Sequence, residues 1–301
     1  MRTLGGVIIP LVTPFTEDGR VDVDMLARNL NKWNGTKVGG YMCLGTNGEF
    51  KSLSDEESIH VISAFVQAAA REKTRIVGIG RESLAHTLSF MEQLSAFESE
   101  IDYYSVITPS YFSSQMTEDA LYTYYSQIAN VSRIPVLLYT APTYANRVVI
   151  SPHLLRRLAN HPNIMGIKDT SPDMMDRYME VVGKRDDFEV MAGSINNLLR
   201  CLEKGGKGGV LSAANYLPNE CAQIVTLFEN GENMAAIALQ DWIRTLISKT
   251  ASPFGVSGVK ACMSLLGYEG GYPRLPLLPL SIAAKKAIEV EFIASNALKK
   301  S

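Results

Sequence analysis

The stretch Ile164-Met165-Gly166-Ile167-Lys168-Asp169-Thr170-Ser171 decides how the chain is read. A short run of apolar and small residues ends at a lysine and gives way to polar residues. A run of this length reads as a buried strand. Most lysines lie on the surface as solvated charge. One that closes an apolar strand and points into a water-poor cavity loses the solvation that favours its ammonium. The freed amine can then attack a carbonyl. The run Pro135-Val136-Leu137-Leu138 ends in the same way, at Tyr139. An amine and a phenol at the exits of two consecutive strands are the parts that Schiff-base chemistry on a ketone requires.

Outward from these two strands the alternation continues. Further strands are predicted over residues 7–12, 40–44, 75–79, 103–107, 188–192 and 209–211. Helices are predicted over 22–33, 54–70, 83–97, 117–130, 151–159, 172–182, 196–203 and 218–228. Ser54 with Glu57 three residues on has capping-box spacing, and Pro152 suits a first helical turn. Eight β-then-α units in roughly 230 residues predict an α/β fold, a (β/α)8 TIM barrel. Nearly continuous apolar strands argue for a parallel sheet covered by helices. A doubly wound open sheet is the rival arrangement. Residues 231–301 read as a C-terminal helical extension of three helices (233–250, 255–266 and 281–297) packed on the barrel domain of residues 1–230.

Composition narrows the function classes. The 301 residues are 46% hydrophobic and 20% charged, an ordinary globular balance. The 29 basic and 31 acidic residues leave a net charge of −2, which gives no basic excess for nucleic acid. A small anionic substrate has to be held by local groups. Cys43, Cys201, Cys221 and Cys262 are scattered without a CxxC pair and read as reduced, buried thiols. The four histidines show no HxxxH or HExxH spacing, so no metal site is expected. The beginning Met1-Arg2-Thr3-Leu4-Gly5-Gly6-Val7 lacks the apolar stretch of a signal peptide, and no run reaches a membrane span. The expected location is cytoplasmic.

Strand ends of a barrel carry the reactive groups on the face built by the βα loops. Strand two ends in Leu44-Gly45-Thr46-Asn47-Gly48-Glu49. Such a turn can present backbone amides, with the Thr46 hydroxyl, to a carboxylate. The segment Lys204-Gly205-Gly206-Lys207-Gly208-Gly209 is not a phosphate loop, since glycine follows Lys207 where Ser or Thr is needed. It reads as a helix C-cap and turn. No GxGxxG follows strand one, so no nicotinamide cofactor is expected.

Gly45-Thr46-Asn47-Gly48-Glu49, Thr108-Pro109-Ser110-Tyr111, Tyr139-Thr140-Ala141-Pro142 and Gly166-Ile167-Lys168-Asp169 resemble, in order and spacing, the motifs of the dihydrodipicolinate synthase/N-acetylneuraminate lyase family. The resemblance runs from Gly6-Val7-Ile8-Ile9-Pro10 to Arg274-Leu275-Pro276. It implies a class I, Schiff-base aldolase or lyase that works on pyruvate or a pyruvate-releasing 2-keto acid. It also implies a homo-oligomer, a dimer of dimers, and no cofactor. By the same resemblance Lys168 would form the imine and Tyr139 would shuttle the proton. Thr46 would link Tyr139 to Tyr111 reaching in from a neighbouring subunit. Asn47 and the Thr46 and Asn47 amides would hold the pyruvate carboxylate, and the backbone of Leu211 would line the pocket.

Departures from the family pattern bear on substrate. Dihydrodipicolinate synthases carry an arginine that clamps the aldehyde substrate's carboxylate, and its place here is Tyr144. Losing a two-point guanidinium fork is not a mild change. Arg147 lies three residues on. The places of the synthases' lysine-feedback pocket are taken by Asp55, Ser58, Glu82 and His86, so lysine inhibition is not expected. The stretch 47–50 (Asn-Gly-Glu-Phe), with Phe254-Gly255-Val256-Ser257-Gly258-Val259-Lys260 and Gly270-Gly271-Tyr272-Pro273-Arg274, leans towards 4-hydroxy-2-oxoglutarate aldolase. Dihydrodipicolinate synthase, a 2-keto-3-deoxy sugar acid aldolase and a non-catalytic 2-keto-acid binding protein are the alternative readings.

Overall fold

The computed structural model describes residues 4–183 and 185–299. The first three residues and the last two, which the sequence reading assigned to the two segments, lie outside the described residues. Eight parallel strands form a closed barrel in sequence order: β1 (Gly6–Pro10), β2 (Gly40–Cys43), β3 (Thr74–Gly78), β4 (Tyr103–Ile107), β5 (Val136–Thr140), β6 (Ile164–Asp169), β7 (Glu189–Ala192) and β8 (Gly208–Val210). The chain is a TIM barrel, as predicted, and the open-sheet rival is excluded because β1 pairs with both β2 and β8.

Between and after the strands run α1 (Val23–Asn34), α2 (Asp55–Ala68), α3 (Leu84–Gln93), α4 (Glu118–Val131), α5 (Pro152–Leu158), α6 (Met175–Val182), α7 (Leu198–Glu203) and α8 (Pro218–Glu229). The caps explain several starts. Ser54 accepts from the Glu57 amide while the Glu57 carboxylate accepts from the Ser54 amide, the reciprocal bonds of a capping box. Ser151 accepts from the Leu154 amide with Pro152 in the first turn of α5.

Two boundaries differ from expectation for identifiable reasons. β8 begins at Gly208, one residue early. Gly208 has φ +148° with its α-carbon against the Gly6 backbone, where a Cβ would lie 1.9 Å from the Gly6 carbonyl oxygen. Only glycine pairs in that conformation, so part of the glycine run read as turn is strand. Helix α6 begins at Met175 instead of 172. The Ser171 amide and hydroxyl both bond the Asp169 carboxylate, which holds the chain in a local turn before the helix starts.

The core has two parts. Inside the barrel, Ile8, Met42, Ile76, Leu137, Met191 and Val210 pack together. The residues between them along each strand, such as Ile9, Cys43, Leu138 and Ile167, face the helix layer. The barrel is therefore filled over most of its length, and reactive groups are left to its mouth.

After α8 come α9 (Asn233–Lys249), α10 (Gly255–Leu265) and α11 (Ile282–Ala294). The Arg28 guanidinium grips the Glu269 carboxylate in two-point fashion, and Asn29 Nδ2 donates to the Glu269 carbonyl, tying α1 to the loop after α10. Phe292 of α11 meets the Tyr216 ring edge-on, 6.1 Å between centres. All four cysteines are buried and free. No described helix is long and apolar enough to cross a membrane.

Candidate active site

Tyr139 on β5 and Lys168 on β6 are register partners, so their side chains leave adjacent strands at the same level and face the same way. Strand alternation sends both into the barrel. The Tyr139 ring belongs to the inner cluster, and Lys168 lies beside Met191 of β7. Lys168 is 6% exposed. Its Nζ sits 4.1 Å from the centre of the Tyr139 ring and 3.7 Å from the Met42 sulfur.

These neighbours decide the amine's protonation. Burial pulls Lys168 down from its ordinary 10.5 to about 7. An aromatic face does attract an ammonium, but by far less than the solvation lost on full burial. Asp169 is fully buried, but the alternation turns it away from the barrel interior, where its Oδ1 accepts from Ser171. It therefore does not hold Lys168 in the charged form. At neutral pH a large share of the amine is free to act as a nucleophile.

Tyr139 is poised differently. Burial pushes its phenol up to about 12, a hydrogen bond with Thr46 opposes this, and the nearby Tyr144 adds a smaller push. The Thr46 Oγ1 to Tyr139 hydroxyl distance is 3.0 Å. Thr46 opens a single tight turn, Thr46–Gly48, directly beyond β2. Within that turn the Gly48 amide donates to Gly45 and the Glu49 amide to Thr46. The amides of Thr46 and Asn47 stand at the turn's open end, where a helical turn leaves donors for a ligand. Leu44 and Glu49 bracket the turn in the left-handed region, with φ +55° and +51°. Non-glycine residues hold that conformation only where their surroundings impose it. Gly78 makes room, since a Cβ there would lie 2.2 Å from the Leu44 carbonyl oxygen.

The structure thus brings Lys168, Tyr139 and Thr46 together, with Asn47 one residue on. Asn47 Nδ2 donates to Ser212 Oγ at 2.7 Å, which ties the turn to the segment after β8. Leu211 lies one residue past β8. Its side chain is in the outer layer and its amide bonds the Ile8 carbonyl, while Val210 takes the inward position beside Lys168. Tyr111 is not gathered into the group: its ring is 78% exposed and stacks edge-on with Phe112. The Ser110 and Tyr111 amides both donate to the Glu82 carboxylate, at 2.7 and 2.9 Å. Burial would raise Glu82, but the Lys51 ammonium and these two amides outweigh it and hold the carboxyl down to about 2. Tyr144 and Arg147 are both exposed on the loop after β5.

Met42 and Ser212 were missed in the sequence. A strand buried on both faces gives no alternation to mark Met42 as inward-facing, and nothing in the run after β8 singles out Ser212.

A buried amine lowered to about 7, a phenol beside it and a tight turn with amides at its open end fit one class: Schiff-base-forming, class I carbon–carbon lyases. Residues 3–294 match the Dihydrodipicolinate synthetase family, and the chain belongs to that family. A 4-hydroxy-tetrahydrodipicolinate synthase of Acidiphilium cryptum is 29% identical over 280 residues, 93% of this chain and 94% of that protein. An uncharacterized DapA-like lyase of Thermococcus onnurineus is 34% identical over 271 residues, 87% of this chain and 89% of that one. Among solved structures, the N-acetylneuraminate lyase of Proteus mirabilis superposes with a TM-score of 0.88 at 26% identity, covering 98% of this chain and 99% of the other.

Proposed function

We propose that this lyase cleaves a 4-hydroxy-2-keto acid to pyruvate and an aldehyde, most like a 4-hydroxy-2-oxoglutarate aldolase. The observation that carries the reading is the desolvated Lys168 amine beside the Tyr139 phenol. Lys168 attacks the keto carbon, and loss of water leaves a protonated imine. That imine accepts the electron pair of the C3–C4 bond as the bond breaks, and an enamine results. Tyr139 takes the proton of the 4-hydroxyl as the aldehyde forms. A neutral phenol can accept a proton only by passing its own along, and the bond to Thr46 supplies the path. Tyr139 then returns a proton to C3, and water releases pyruvate from Lys168.

In this reading the Thr46 and Asn47 amides hold the carboxylate, with Asn47 anchored by Ser212, and the backbone at Leu211 closes the pocket. Tyr111 completes the relay from a neighbouring subunit of a dimer within a dimer of dimers. Its exposed ring on a firmly bonded loop supports that role. A tyrosine at 144, in place of the synthases' carboxylate clamp, argues against the synthase reaction, and Arg147, exposed on the same loop, is the cation available to the second carboxylate of 4-hydroxy-2-oxoglutarate.

The test is pyruvate release from 4-hydroxy-2-oxoglutarate, 2-keto-3-deoxygluconate and N-acetylneuraminate, run beside consumption of aspartate semialdehyde with pyruvate. Preferred turnover of the first supports the proposal. Preferred turnover of a sugar acid or of the semialdehyde reassigns the substrate. No turnover of any, with ligand-dependent thermal stabilisation, leaves a 2-keto-acid binding protein.

A further inference from the structure

We infer that Lys260, reaching in from the C-terminal extension, is a positioning residue for the carboxylate-facing turn, and acts on it through Glu49. The inference rests on the proposal that this turn holds the keto acid's carboxylate.

Lys260 lies on α10, far in sequence from the turn, and its side chain is 2% exposed. Its Nζ lies 2.6 Å from Glu49 Oε1 and donates to the Thr13 carbonyl at 2.8 Å and the Tyr272 carbonyl at 2.6 Å. The ammonium thus makes two hydrogen bonds to backbone carbonyls and a close ion pair with Glu49. The second Glu49 oxygen accepts from the Arg274 amide at 2.9 Å. Thr13, which takes one Lys260 bond through its carbonyl, donates its hydroxyl to the Gly48 carbonyl at 2.7 Å. One ammonium thus joins the loop after β1, the end of the turn and the loop after α10.

Energetics favour positioning over simple bracing. A buried ion pair recovers little more than the solvation it loses, and apolar residues of similar volume often stabilise as well or better. A buried charge pair tied to two backbone carbonyls does impose a geometry. The residue they hold, Glu49, is in the left-handed region and ends the turn that Thr46 opens. Letting Glu49 relax would move the Thr46 and Asn47 amides together, and misplacement by about 1 Å can cost on the order of a hundredfold.

The experiment is borohydride trapping on Lys168 across a range of pyruvate concentrations, with acetone as a ketone that lacks the carboxylate. It compares the wild type with Lys260→Met and with the double variant Lys260→Met/Glu49→Gln, which leaves no unpaired buried charge if the single variant fails to fold. The expected result is a rise of about tenfold or more in the pyruvate concentration for half-maximal trapping. Trapping by acetone and the maximal pyruvate rate stay close to wild type. An unchanged pyruvate dependence in a folded variant overturns the inference, and so does an equal loss with both ketones, which marks a structural brace. If the wild type itself gives no adduct on Lys168, the functional proposal fails and the inference falls with it.

Discussion

Tyr139 and Lys168 face each other across one rung of the barrel, with the lysine nitrogen 4.1 Å from the centre of the phenol ring. The ring walls the amine from solvent, and this exclusion sets its acidity. The rate of adduct formation with pyruvate should therefore rise with pH through about 7 and level off above it, because only the neutral amine attacks. A pH profile of borohydride trapping measures this, and a rise centred near the ordinary lysine value of 10.5 would contradict it.

The same burial predicts a stability cost. The unfolded chain binds a proton at Lys168 up to 10.5, while the folded chain releases it above about 7. Between those values the unfolded state holds more protons, so this group makes stability rise with pH. Lys168→Met should abolish trapping, lower turnover by at least about a thousandfold and unfold at a higher temperature near pH 7. The thermal gain should shrink as pH approaches 10, which paired melting curves will read.

Tyr139→Phe removes the proton carrier and keeps the wall. Cleavage should fall by about 10²–10⁴-fold while the pyruvate adduct still forms. Thr46→Val should lower cleavage by roughly tenfold or more, the worth of one good hydrogen bond in the relay. Separate assays of cleavage and of adduct formation distinguish carrier from nucleophile. Equal loss of both in Tyr139→Phe would remove the phenol from the proton path.

Mixing two inactive variants tests the reach of Tyr111. Tyr111→Phe and Lys168→Met each spoil every site in a pure oligomer. In a mixed dimer one site has both residues intact, so re-associated mixtures should recover about a quarter of wild-type activity. No recovery after verified subunit exchange would place Tyr111 outside its neighbour's site.

Free lysine should neither slow turnover nor raise the melting temperature. Asp55 is already bonded by Arg81 and His86, and Glu82 by Lys51 and the Ser110 and Tyr111 amides. These carboxylates have their cations in the chain itself. A thermal shift of several degrees with millimolar lysine would overturn this expectation.

Much of this was legible in the sequence because strand exits are abrupt there. The apolar runs ending at Tyr139 and Lys168 gave the strand positions, and strand order then made them neighbours. The capping box at Ser54 and the proline at 152 placed two helix starts. What was hidden depended on contacts distant in sequence. Lys260 lies among Val256, Val259 and Met263, where its spacing put a charge on an apolar helix face. Nothing nearby announced Glu49 as its partner, because that pairing exists only once α10 packs against the barrel. The early start of β8 was hidden because glycine runs mark turns and close strand contacts alike.

Tyr144 and Arg147 lie open on the loop after β5, while Lys168, at the end of β6, is buried. Under the proposed cleavage, diversity introduced at the rim is expected to alter which aldehyde departs without exposing the Lys168 nitrogen. For anyone redesigning this enzyme, the loop is a region to randomise, and Lys168, Tyr139 and Thr46 are the inheritance to leave alone.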